Sequence, residues 1–577
     1  MTAGRPRAPL HLALVLLAAC GGETGEVRAA APEEPRAQEA APPPEALVAV
    51  PGTSAVVLRA PAGQVGTTEV AELARALDAA AAAMARRIPI EIQEPVSLLL
   101  EPDFVAQGRD TGAIGEAVPG PHADLHLVFH PRDRHAYENA LAATLLRRAG
   151  LAEPLPPWLA HGGALWLAGE WYGRPWRDWL PALAAAGALP AADELLATEE
   201  PQDSSPLLWT PAAAAVVDAL PGDTLRAKLA APPPRERVEA ALAVLARLPP
   251  PPPAPAPGLP SRFLAGVSLA MSNSLEGGYH APGLERALDA VEGLGADALS
   301  LMPFAFQRGP ASPDLGFRHD RPGGETDVGL VHAARRSRAR GLSVLWKPHI
   351  WVSRESWPGE IEMQSEADWA RWWRGYRRYV LHHAFLARWA EADLFAVGVE
   401  LTRTLGRTED WRRLIADVRR LYPGPLTYAG NWDGDLERAP FWDRLDLLGV
   451  DGYYPLAASP AATTAELSVG AARVRERLAA AAAKHGKPVL LTEVGFAARR
   501  GAWIEPHVEG GELSLEDQAR AYEALFAGLG RPPWLAGTYV WKVFSGPRRR
   551  GGGEPRPDFQ LLGRPAEAVV RAYYESH

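Results

Sequence analysis

The sequence predicts an α/β protein in which a C-terminal (β/α)8 barrel over residues 261–577 follows a smaller N-terminal α+β module over residues 47–230. Three observations predict it. After Ser261, eight short apolar runs alternate with amphipathic stretches, the pattern of parallel strands buried on both faces with helices packed outside them. Eight such units in about 310 residues match the usual size of that barrel. Two of the runs, Phe395 to Glu400 and Pro488 to Glu493, close on a glutamate, and strand C-termini are where such barrels present their chemistry. An open doubly wound sheet is disfavoured because no G-x-G-x-x-G opens a helix after the first run.

Residues 1–19 read as a signal peptide: Arg5 and Arg7 precede the apolar run Leu10 to Ala19, which is too short to span a bilayer. The run ends in Leu17-Ala-Ala-Cys20-Gly21, which resembles a bacterial lipobox. That resemblance implies lipidation of Cys20, a cell-envelope location with the lipid as the only membrane anchor, and the outer membrane in a cell that has two. Cys20 is the sole cysteine, so a disulfide framework and cysteine-built metal sites are excluded. Residues 20–46, rich in Ala, Pro and Glu without periodicity, read as a disordered tether.

In the module, Ser54 to Arg59, Val96 to Glu101 and Leu125 to Phe129 read as strands, and Thr68 to Arg87, 135–149 and 157–170 as helices. Residues 231–260, with the polyproline run Pro249 to Pro257, read as a semi-rigid linker. The barrel strands are expected at Phe263 to Ala270, Ala298 to Phe304, Ser343 to Trp351, Leu394 to Thr402, Pro425 to Asn431, Leu445 to Tyr454, Pro488 to Phe496 and Leu535 to Val543. A net charge of −9 and a pI near 6.0 carry no polyanion-binding signature, so nucleic acid is not an expected partner.

Read as a barrel, the chain brings to one mouth Lys347 and His349 after strand three, Glu400 and Arg403 after four, and Asn431, Trp432 and Asp433 after five. Asp451, Tyr453 and Tyr454 follow six, Glu493 follows seven, and Trp541 and Lys542 follow eight. Carboxylates, indoles, phenols and an amide together suit a polysaccharide or oligosaccharide substrate, whose C–H faces stack on rings while its hydroxyls take polar partners. Two carboxyls suffice for retaining hydrolysis, one as nucleophile and the other as acid then base, so neither metal nor organic cofactor is implied. The structural alternative for Glu400 is an ion pair with Arg403, and Trp369, Trp372 and Trp373 lie in a helical stretch that suits packing.

The segments Trp346-Lys-Pro-His349, Gly398-Val-Glu400-Leu, Asn431-Trp-Asp433, Asp451-Gly-Tyr-Tyr-Pro455, Leu491-Thr-Glu-Val-Gly-Phe496, Trp541 and Leu562-Gly-Arg-Pro-Ala566 resemble the clan A glycoside hydrolases, a group of TIM barrels, and family 113 most of all. The resemblance implies a retaining, endo-acting β-1,4-mannanase with Glu400 as acid/base and Glu493 as nucleophile. It also implies that Tyr453 or Tyr454 bonds the nucleophile and that Trp541 floors the sugar subsite; the strand-end reading adds Lys347, His349, Arg403, Asn431, Trp432 and the tyrosines as substrate-binding candidates. One departure is Val399, where much of the clan carries Asn to contact the substrate 2-hydroxyl; Asn431 or His349 is then left to make that contact. This departure supports the alternative of a catalytically inactive glycan-binding or cell-wall scaffold.

In the module, Leu155-Pro-Pro-Trp-Leu-Ala-His161-Gly162 resembles the segment that supplies the third zinc ligand of gluzincin peptidases. The zinc-binding H-E-x-x-H is replaced by Asn139-Ala-Leu-Ala-Ala143, and His161 stands where the acid belongs. The expectation is a degenerate, metal-free peptidase-like module.

Overall fold

The computed structural model describes residues 47–576 except 66, 153–154, 200–203, 253–257, 318–322, 354–355 and 547–554. The signal peptide, Cys20 and the tether lie outside the described residues. So does Arg548 to Arg550.

Eight parallel strands close into a barrel: Leu264–Ala270, Ala298–Leu301, Ser343–Trp346, Leu394–Val399, Leu426–Asn431, Leu448–Asp451, Val489–Val494 and Leu535–Phe544. They are called strands one to eight below. Strands four, five and seven are buried at every position, as the continuous apolar runs require. Helices cover the outside through apolar stripes at helical spacing. In Thr408–Leu421 the buried set is Trp411, Leu414, Ile415, Val418 and Leu421, while the remaining positions carry charge to solvent. Thr464–His485 starts on a capping box, in which the Thr463 hydroxyl accepts from Glu466 N while the Glu466 carboxylate accepts from Thr463 N at 2.7 Å.

Three expected runs are shorter in the structure. Strand two stops at Leu301 and strand three at Trp346, because Pro303 and Pro348 have no N–H to continue the ladders. The chain resumes as Phe304–Gln307 and His349–Val352, which with Leu315–Gly316 form a separate three-stranded sheet past the barrel rim. Strand six ends at Asp451, where Tyr453 N turns back to donate to Asp451 O at 3.1 Å and Tyr453 and Tyr454 become loop residues.

The module is a five-stranded mixed sheet with helices, the longest being Thr68–Arg87. The stretch assigned to the linker contains a helix, Arg235–Leu245, whose Val238, Leu242 and Leu245 bury against the module's other helices. Their i, i+4, i+7 spacing signals a helix, and the flanking prolines mask it.

The module packs directly on the barrel. Tyr172 meets Phe385 and Trp389 edge-on at 5.0 and 5.3 Å, and Trp179 packs on Phe385 at 4.5 Å. Around these rings Arg335 bonds Asp133 at 2.9 Å, and His382 joins Ser205 of the module to Asp327 of the barrel, both at 2.9 Å. One hydrophobic core runs through both parts. Among the described residues no helix is long and apolar enough to cross a membrane.

Candidate active site

Glu400 follows strand four in a left-handed backbone conformation, φ +52°, which a residue with a Cβ adopts only where its surroundings impose it. Its N–H donates to Ala429 O at 2.8 Å and its carbonyl accepts from Thr402 N at 2.9 Å, so both ends of the turn are held. Just before it, Gly398 leaves no room for a side chain: a Cβ there would lie 2.7 Å from Trp411. The carboxylate receives Trp357 Nε1 at 2.6 Å and Asn431 Nδ2 at 2.9 Å. Burial, and then the negative charge of Glu493, push it up to about 7, against which the two donated bonds act.

Glu493 closes strand seven and has different neighbours. The Lys347 ammonium pairs with one oxygen, and the Tyr453 hydroxyl donates to the other at 2.6 Å. Lys347 is fully buried, also reaching Thr492 O at 3.3 Å and standing 3.9 Å from Asp451. Asp451 accepts from the Thr492 hydroxyl at 2.7 Å on one oxygen and leaves the other unbonded. Burial first, and the Glu493 charge second, raise its carboxyl well above the usual range, against the Lys347 ammonium. The two glutamates therefore sit in different surroundings: Glu493 is bonded on one oxygen by an ammonium and on the other by a phenol, whereas Glu400 is raised to about 7 and has an indole and an amide as its donors.

The mouth brings together most of the residues expected there. Asn431 bonds Glu400 and is itself held by Asp435, which accepts its backbone N–H at 2.9 Å and the Thr402 hydroxyl at 3.0 Å. Trp541 lies near Lys347 and Lys542, in a small cluster with Tyr453, Met302 and Phe559. Trp432 is half-buried and faces His507 at 5.9 Å and Tyr454 at 6.1 Å. His349 is 6 % exposed, with its ring 5.0 Å from Phe304.

Three expectations are corrected. Arg403 does not pair with Glu400: it is 55 % exposed and bridges Glu362 at 2.9 Å, because the turn after Glu400 carries it outward. Lys347 is not placed to bind substrate, since its side chain has no exposure and pairs with Glu493. Tyr454 does not reach Glu493, as Tyr453 does; it stacks under Arg477 at 5.3 Å, and its buried hydroxyl has no partner among the described residues. Three helpers were not anticipated. Trp357 lies in a loop and Asp435 opens the short helix Asp435–Arg438, neither with a strand-end signature, whereas Thr492 directly precedes Glu493 but its side chain points to the neighbouring strand.

In the module, His161 is exposed and packs on Trp158 at 5.5 Å. Asn139 donates to His135 O at 2.8 Å and Glu170 O at 2.9 Å, a structural use of the position. Glu101, Asp110 and His126 converge, yet both His126 nitrogens are engaged, by Glu101 at 2.6 Å and Pro121 O at 2.7 Å.

The model of Glycoside Hydrolase Family 113 matches residues 271–564. None of the curated proteins matches the chain. Among solved structures, the GH113 β-mannanase of Alicyclobacillus acidocaldarius in complex with ManMIm is similar at 27 % identity, with a TM-score of 0.48, covering 54 % of this chain and 97 % of that one. A second GH113 β-1,4-mannanase is similar at 24 % identity and TM-score 0.48, over 55 % of this chain and 100 % of the other. A β-glucuronidase from Ruminococcus gnavus is similar at 12 % identity and TM-score 0.38, over 54 % and 50 %.

Proposed function

The chain belongs to glycoside hydrolase family 113, and on that premise we propose that it is a retaining, endo-acting β-1,4-mannanase, held in the cell envelope by a lipid on Cys20. Glu400 is the acid/base and Glu493 the nucleophile. The observation that carries this assignment is the division of labour between the carboxyls: Lys347 and Tyr453 bond Glu493 on both oxygens, while no cation among the described residues contacts Glu400, which is pushed up to about 7. Environments that separate two carboxyls in this way assign one as nucleophile and the other as acid.

In the first step the Glu400 proton passes to the glycosidic oxygen, the C–O bond breaks, and a Glu493 oxygen bonds the anomeric carbon to give a glycosyl ester. In the second, ionised Glu400 takes a proton from water, whose oxygen attacks the same carbon and frees Glu493. Asn431 and Trp357 donate to Glu400 when it is charged, so they stabilise it between the two steps. Lys347, fully buried, positions the nucleophile through their ion pair without entering the substrate cleft. Asn431, half-open Trp432, His349 and Trp541 are the contacts to the sugar. Since Val399 supplies no amide, the 2-hydroxyl contact falls to Asn431. The N-terminal module has no catalytic role in this reading; it is a degenerate peptidase-like unit that braces the barrel helices.

The test is product release from β-mannan, glucomannan, β-glucan, xylan and peptidoglycan by the full chain, with Glu493→Gln as control. Cleavage of mannan that disappears in the variant is the expected result. Cleavage of a different glycan replaces the substrate, and binding without cleavage of any glycan overturns the enzyme reading.

A further inference from the structure

Beyond the barrel rim, the small sheet presents an aromatic face of which the mouth described above uses only the inner end, at His349. The parallel register of its two longer strands pairs Phe304 with His349 and Phe306 with Trp351. Because side chains alternate along a strand and paired residues of a parallel ladder share a face, all four rings lie on one side. The opposite side is consumed by packing: Ala305, Gln307, Ile350 and Val352 are buried, and Gln307 accepts from Trp372 of the helix Glu366–Trp389 at 3.0 Å. On the aromatic side exposure increases outward. Phe304 and Trp351 are half-buried and Phe306 is 52 % exposed.

This face is continuous with the catalytic mouth. Phe304 packs on the cluster of Tyr453, Trp541 and Phe559, and Tyr453 bonds Glu493. Phe304 also meets Trp351 edge-on at 6.4 Å. Phe306 lies about 7 Å further along the strand. Within the row, His349 Nε2 is buried and has no hydrogen-bond partner among the described residues. A buried imidazole nitrogen left unbonded costs free energy unless something supplies the bond. Burial, with the Lys347 ammonium second, keeps that imidazole well below its ordinary pKa, and a neutral ring offers one donor and one acceptor.

We infer that Phe304, His349, Trp351 and Phe306 form an extended glycan subsite, which holds sugar units of the substrate chain beyond those at Glu400 and Glu493. Sugar C–H faces stack on the three aromatic rings, and a hydroxyl completes His349 Nε2. Its unbroken connection to the mouth assigns the face to the substrate chain and not to a partner protein. The inference rests on the glycosidase reading above and adds the direction in which the bound chain runs, over strands two and three.

The test uses the full chain with β-1,4-mannotriose and β-1,4-mannohexaose. The quantity read is the ratio of kcat/KM for the hexaose to that for the triose. Phe306→Ala and Trp351→Ala are each expected to lower the ratio about fivefold, the worth of one aromatic stacking contact, and Phe306→Trp to restore it. An unchanged ratio in both alanine variants overturns the subsite while leaving the mannanase reading intact. If Trp351→Ala does not fold, Phe306→Ala decides alone, since half-exposed Phe306 supports little packing. If the native chain cleaves neither oligosaccharide, the mannanase reading fails. The subsite is then read by retardation of the chain in gels containing glucomannan, β-glucan or xylan. Retardation that Phe306→Ala abolishes upholds it, and retardation that persists in the variant, or is absent from all three gels, overturns it.

Discussion

Lys347→Met removes the only cation among the described residues in contact with Glu493 and leaves a carboxylate enclosed by Thr492, Asp451 and Tyr453. Unit charges about 4 Å apart interact by about 4 kcal/mol at an effective dielectric of about 20, and the Lys347 contact with Glu493 is closer than its 3.9 Å approach to Asp451. Removing one partner of a buried pair costs about 3–5 kcal/mol, because the other stays behind uncompensated. The variant is therefore expected to lose about 3–5 kcal/mol in urea unfolding. The kcat/KM should fall as well, since the nucleophile loses the contact that positions it. The double variant Lys347→Met/Glu493→Gln carries neither charge and should recover much of the lost stability, giving a coupling energy well above 1 kcal/mol in a double-mutant cycle. A cycle that closes additively, with kcat/KM unmoved, would refute the idea that Lys347 holds the nucleophile in place.

Four further outcomes are expected. Glu400→Ala should lower kcat by about 10²–10⁴, and azide should restore turnover of substrates with good leaving groups because it replaces the missing base-assisted water. In the native chain kcat/KM should fall as pH rises through about 7, where Glu400 loses its proton; the same raised carboxyl stabilises the fold fully below its unfolded value near 4.5 and progressively less as pH climbs toward 7, which urea titrations across that interval would read. Trp357→Phe removes a bond that favours the charged form of Glu400, so the basic limb should move upward in pH while thermal stability stays near native. Because Tyr172, Trp179 and Arg335 join module to barrel, calorimetry should show one unfolding transition for the full chain and a lower one for a fragment starting at residue 261.

Much of the barrel was legible because parallel strands buried on both faces leave continuous apolar runs that no other architecture repeats eight times. The breaks in strands two and three were also written in the chain, as Pro303 and Pro348, but reading through them hid the small sheet and its aromatic face. Strand-end position brought Glu400, Glu493, Asn431 and Tyr453 to one mouth, since the carboxyl ends of barrel strands all point there. It misjudged Lys347 and Arg403, because the same rule does not say whether a long side chain turns inward under the mouth or outward to solvent. Trp357 had no local signal: its partner Glu400 lies 43 positions away, and only the closed barrel brings them together. Proximity in sequence misled in the reverse direction, suggesting Arg403 as the partner of Glu400. The Pro-rich segment was read by composition as a spacer, yet the interface depends on rings and charges distributed over 130–210 and 327–390, which no linker composition reports.

The most direct test of the account is covalent trapping. The full chain, incubated with 2-deoxy-2-fluoro-β-mannosyl fluoride, would be digested and its peptides sequenced by mass spectrometry. One fluoroglycosyl adduct on Glu493, absent from Lys347→Met under the same conditions, is the predicted result. A chain that turns over mannan and carries the adduct on another residue, or that releases the inverted anomer with no adduct, would contradict it.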